Sequence, residues 1–140
     1  METKFNFKSS PCTSREQSKR LLALGIKKET ADCYWFYCDI AKEWKSSILS
    51  STQVFKDYPT TVIPAWSLGR LIKDLMPQSI GHLELAVGSD YAGYYEDRDN
   101  SDLGMHWGYA EETPDMFDNI ISTIEWLIKE GHFNKEYLEE

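Results

Sequence analysis

Two histidines and a glutamate are the residues of this chain that come closest to a metal site. His82 and Glu84 stand two apart in HLELAVG, and His106 lies in GMHWGYA. If both stretches are extended, alternation puts His82 and Glu84 on one face, and a neighbouring strand can bring His106 beside them. Two imidazoles and a carboxylate are ordinary zinc ligands. No fourth ligand follows from the sequence, and exposed strand faces carry His and Glu without any metal. The H-x-E spacing of His82 and Glu84 also occurs in zinc deaminases. Those need a downstream P-C-x-x-C, whereas the last cysteine here is Cys38. The expectation is no metal and no cofactor. The alternative is a small enzyme or a ligand- or metal-binding protein, using a cleft near His82, Glu84, His106 and Trp107.

Other chemistry is weaker still. The cysteines are Cys12, Cys33 and Cys38, without a C-x-x-C, so zinc-ribbon and thioredoxin-like readings fail and three reduced thiols are expected. Cys12 precedes a helix start, where a thiolate is favoured, but no His and carboxylate accompany it in a local signature. DRDNSDLG, residues 97–104, offers oxygen ligands for calcium. Its spacing puts Asp102 where the loop needs glycine and Gly108 where it needs a bidentate glutamate, so an acidic turn is expected. No phosphate loop, G-x-S-x-G or H-E-x-x-H occurs. No residue is assigned a catalytic role.

The elements that must position these residues follow from periodicity. TSREQSKRLLALG predicts a helix over 14–24, with Thr13 and Glu16 in capping-box spacing and Gly25 closing it. Arg15, Lys19 and Arg20 point outward. DCYWFYCDI is an aromatic-rich strand with two apolar faces, hence central or covered. EWKSSILSS is its hairpin partner, and 50–62 is a loop with an extended end. In IPAWSLGRLIKDLMP, residues Leu68, Leu71, Ile72, Leu75 and Met76 form one helical stripe, with Ser67 as cap and Pro77 as stop. Trp66 and Leu71 then stand at the two positions of a hydrophobic staple, so Trp66 should be buried.

HLELAVG, YAGYYED and GMHWGYA predict a three-stranded antiparallel meander with turns at 88–90 and 98–102. The last long helix has Thr113 as cap and Pro114 in its first turn. Its stripe is Phe117, Ile120, Ile121, Ile124, Leu127 and Ile128, and Gly131 ends it. Asn134 caps one further turn. Trp126 lies on the polar side of that helix and is the candidate for contact with a partner; the bland alternative packs it under the N-terminal segment or the 50–62 loop.

The expected fold is α+β, with an antiparallel sheet of three to five strands packed by about three helices. The length of 140 residues suits one domain spanning 1–140. The net charge is −8, unevenly spread. Lys and Arg outnumber Asp and Glu by seven to three in residues 1–30, balance at five each in 31–80, and fall to three against fifteen in 81–140. Such an acidic half disfavours nucleic acid and anionic membrane. The basic and aromatic N-terminal patch (Lys4, Phe5, Phe7, Lys8, Arg15, Lys19, Arg20) is too small to reverse that. No apolar run has the length of a membrane span, and the first residues lack a signal peptide's apolar stretch. A cytoplasmic location is expected.

TSREQSKRLLALGIKKETAD, IPAWSLGRLIKDLMP and IEWLIKEGHFNKEYL together resemble a family of small proteins encoded in gut bacterial genomes, often within prophages or other mobile elements. The resemblance implies no activity, cofactor or catalytic residue. It implies an accessory protein of phage or mobile-element origin. The expected function is a non-enzymatic acidic interaction or regulatory module, acting on a protein partner or as a homo-oligomer.

Overall fold

The computed structural model describes residues 10–97 and 105–140, with backbone alone for Asp97, Met105 and His106. The elements run α1 (Arg15–Ala23), β1 (Cys33–Cys38), β2 (Glu43–Ile48), α2 (Gln53–Asp57), β3 (Ile63–Ala65), a π-helical turn (Arg70–Leu75), β4 (Ser79–Ile80), β5 (Leu83–Val87), β6 (Tyr91–Asp97), β7 (Met105–Glu112) and α3 (Met116–Lys129). The class is α+β, as expected. The strands divide between two antiparallel sheets, ordered β2-β1-β3 and β4-β5-β6-β7. The expected meander gains β4, because Gly81 takes φ +58 and folds Ser79–Ile80 back onto Glu84 and Leu83.

Both long helices end as their glycines dictate. Gly25 (φ +94) and Gly131 (φ +78) adopt the left-handed conformation. Ile26 N–H then donates to Leu21 O and Gly25 N–H to Leu22 O; His132 and Gly131 repeat the pattern on Leu127 and Ile128. A buried residue just past each glycine anchors the turn: Ile26, next after Gly25, and Phe133, two after Gly131.

The helix starts fall one or two residues later than predicted. Ser14 caps α1: its hydroxyl accepts from Gln17 N–H, and Gln17 Oε1 accepts from Ser14 N–H. Thr13 is buried and bonds Ser18 Oγ and the Trp66 N–H instead. Asp115, not Thr113, caps α3 by accepting from Asp118 N–H, because a carboxylate at the cap satisfies that amide and meets the helix dipole as well. Residues 53–57, expected as loop, form α2, whose Phe55 is buried.

Ser67 does cap the helix after Trp66, accepting from Arg70 N–H at 3.1 Å. The last turn widens, with Met76 N–H donating to Leu71 O, a five-residue step that seats both residues in the core. Asp32 holds this corner by accepting from Ser67 N–H at 2.9 Å and from Ser67 Oγ–H at 2.5 Å. Trp66 is fully buried in the same apolar cluster as Leu71, and its Nε1–H donates to Thr30 Oγ1 at 2.9 Å. It is a core residue, as the staple spacing predicted.

α3 packs against both α1 and the inner face of β6 and β7. Ile120, Ile121, Ile124 and Leu127 are fully buried, and so are Asn119 and Thr123 beside the predicted stripe. A helix covered from two sides buries a wider arc than a single stripe.

Candidate functional site

The residues on β5, β6 and β7 alternate between two faces. Toward α3 lies the register row Leu85–Tyr94–Tyr109. The opposite face carries three rows: Glu84–Tyr95–Trp107, then Ala86–Gly93–Ala110, then Tyr91 beside Glu112. A register shift after Tyr94 leaves Gly108 as an extra residue on β7. Such a bulge re-aims its neighbour, and here the neighbour is Trp107. The Trp107 ring meets Tyr91 edge-on at 5.9 Å and Tyr95 at 5.8 Å. Tyr91 and Tyr95 are four residues apart on one strand, so the indole bridges the row of small residues between them. Gly93 is required in that row. A Cβ there would lie 2.9 Å from Ala110 Cα and closer still to Tyr109 O.

Trp107 is 39% exposed, and Glu84, Asp90 and Glu112 around the cluster are exposed. None of these carboxylates enters an ion pair among the described residues. The arrangement is an exposed aromatic cluster flanked by carboxylates. Chemically it suits cations and apolar groups, through ring faces and carboxylates.

His82 and Glu84, expected on one strand, do not share it. His82 occupies the tight Gly81–His82 turn, outside β5, and Glu84 lies on the aromatic face. His106 pairs in register with Glu96, one step from the Tyr95–Trp107 row, and its side chain falls outside the described residues, as do residues 98–104, where an acidic turn is expected. Among the described residues no three His, Cys, Asp or Glu side chains cluster to hold a metal. The two-residue turn takes His82 out of the strand alternation that would set it beside Glu84.

Trp126 is half-buried and stacks on Tyr109 at 4.9 Å with planes 13° apart, with Tyr94 at 5.9 Å and His132 at 5.8 Å. It packs against the inner face of the sheet, and the N-terminal residues 1–9 lie outside the described residues. Tyr109 Oη–H donates to Glu111 Oε2 and Ser122 O. Burial, and then the Glu111 bond, push the Tyr109 hydroxyl up to about 12.

α1 is less free than its outward charges suggested. The Arg15 guanidinium lies 4.4 Å over the Trp44 ring, and Arg20 bonds Ser122 Oγ and Glu125. Cys12 and Cys33 are buried together with Ala65. Burial first, and then the Asp32 carboxylate, push Cys33 up to about 12. Burial also raises Cys12. Thiols held neutral are poor nucleophiles, so these two serve packing.

The aromatic face combines residues the sequence offers only piecemeal. Tyr91 and Tyr95 flanking Gly93 were its one legible sign, because i and i+4 on a strand share a face.

A second concavity, of about 440 Å³, lies between β1 and the 54–62 segment, lined by Tyr34, Phe36, Tyr37, Asp39, Val54, Tyr58, Thr61 and Val62. No family model, curated protein or solved structure matches this chain. Among the described residues no helix is long and apolar enough to cross a membrane.

Proposed function

We propose that the protein is a non-enzymatic interaction module that seats a basic segment of a partner protein on the outer face of its four-stranded sheet. The observation that carries this reading is the Trp107 cluster. An indole held between Tyr91 and Tyr95 is exposed, and Glu84, Asp90 and Glu112 surround it without ion-pair partners among the described residues. Aromatic anchors rimmed by charge are the usual composition of a recognition surface. The acidic excess of residues 81–140 adds long-range attraction for a basic partner. The resemblance to small phage and mobile-element proteins supports an accessory role, such as occupying a host protein's basic groove.

The test is binding of labelled Lys/Arg-rich and Glu/Asp-rich peptides of equal length to the full chain, at low and high salt. The basic peptide should bind and weaken as salt rises, since exposed charges are screened over about 8 Å at physiological ionic strength. Trp107→Ala should weaken it about tenfold, in the range of an aromatic hot spot. Equal affinity for both peptides, or an unaffected Trp107→Ala, would refute the reading.

A further inference from the structure

We propose that the cleft between β1 and the 54–62 segment is a separate binding site for an organic ammonium cation. The cleft has a clear structural origin. β2 pairs with β1 along its whole length, Cys33–Cys38. β3 pairs only with Cys33–Trp35. Beyond Ile63 the chain leaves the sheet, because Val62 N–H donates to Tyr58 O and α2 is pinned by buried Phe55. The two segments therefore splay apart, and the wedge is the cleft.

Its walls are chemically one-sided. Tyr34 and Phe36 share a face of β1, with rings 5.7 Å apart and tilted by 38°. Tyr58 across the wedge is 57% exposed, and Tyr37, whose ring also meets Trp44 at 5.8 Å, is 46% exposed, so aromatic rings at the rim of the cleft face water. Val54 and Val62 form the apolar floor. The lining contains one charged residue, Asp39, and no lysine or arginine. Asp39 makes no ion pair or hydrogen bond among the described residues. Aromatic faces attract cations through their quadrupoles, and the effect is larger where water is excluded. A carboxylate at the rim adds Coulomb attraction and repels anions. A volume of about 440 Å³ is in the range of small-ligand clefts. The lining offers a phosphate or carboxylate only neutral hydroxyl donors and no cation to balance its charge, whereas a methylated ammonium satisfies both the rings and Asp39.

The same headgroup occurs free, as in choline, or on a trimethylated lysine side chain. The experiment uses the full chain and titrates three probes by calorimetry and amide NMR. These are choline, Nα-acetyl-trimethyllysine methylamide, and 3,3-dimethylbutan-1-ol, the neutral isostere of choline. At least one cation should perturb the amides of Tyr34–Asp39 and Tyr58–Val62, and bind about tenfold more tightly than the isostere. The tighter of the two cations identifies the source, a free metabolite or a protein tail. Asp39→Asn and Tyr58→Ala, both at exposed positions, should each weaken binding severalfold while circular dichroism stays unchanged. Absence of shifts with either cation, equal affinity for the isostere, or variants that bind as the parent does would overturn the assignment.

Discussion

Gly93→Ala tests the geometry beneath the aromatic face. The added Cβ would lie 2.9 Å from Ala110 Cα and closer to Tyr109 O. Both are backbone atoms of β7, so no rotamer change relieves the overlap and the strand itself must move. That movement would pull on Tyr109, which is stacked at 4.9 Å on Trp126. Overpacking of this kind costs about 1–3 kcal/mol, offset by roughly 0.5–1 kcal/mol from the stiffer unfolded chain. Since backbone must shift, the net falls near the upper end, at about 2 kcal/mol of lost stability, or roughly 6–8 °C in Tm for a chain of this size. Gly88→Ala is the control. Its Cβ would strike the Tyr91 ring, with Cδ1 at 2.7 Å, and a ring can rotate away. Its loss should stay under about 1 kcal/mol, but Tyr91 would leave Trp107, and the near-ultraviolet signal of that tryptophan should change. Urea unfolding followed by far-ultraviolet circular dichroism measures both. A Gly93→Ala protein within about 0.5 kcal/mol of the parent, or a Gly88→Ala protein destabilised as much, would refute the close approach of β6 and β7.

Stability should also fall on the alkaline side. Cys33 and Tyr109 are each pushed up to about 12, both chiefly by burial, and Cys12 and Tyr94 are raised by the same cause. A raised acid is held neutral in the fold. Its stabilising contribution is whole below its unfolded value, 9.0 for thiols and 10.0 for tyrosines, and is lost as pH climbs toward the folded value. Tm should therefore decline between pH 9 and 12, with Tyr109→Phe flattening the upper part; a Tm independent of pH across that range would contradict the burial. Ser14→Ala should cost about 1 kcal/mol as a lost capping box, whereas Glu16→Ala should change stability by less than about 0.5 kcal/mol. Thermal scans showing the reverse order would restore Thr13 as the cap.

The legible parts of the fold were those set by single residues acting locally. Gly25 and Gly131 end helices because only glycine takes that conformation without cost. Trp66 was readable as core from its spacing to Leu71, since a cap at Ser67 fixes the phase of the next turn. Phase elsewhere was ambiguous by one residue. Thr13 and Ser14 both carry a hydroxyl, with Glu16 and Gln17 three residues on, and tertiary contacts decide between them. Thr13 is drawn into the core by the Trp66 backbone, so Ser14 takes the cap. The same applies to His82, which a two-residue turn at Gly81 removes from the strand.

The two proposed binding surfaces are harder to read because neither is a run of sequence. The outer face draws on three strands, and a bulge at Gly108 decides that Trp107, not its neighbour, joins Tyr95. Trp126 drew attention as the tryptophan on a polar helix side, yet a helix packed on two flanks has little free side, and Tyr109 occupies the ring. Periodicity measures distance from one buried stripe and says nothing of a second covering element. An exposed aromatic is informative only after the partners of each face are known. By that criterion Trp107 and the rings beside Asp39 are the stronger candidates for the proposed recognition, while the stacking of Trp126 on Tyr109 joins α3 to the inner face of the sheet.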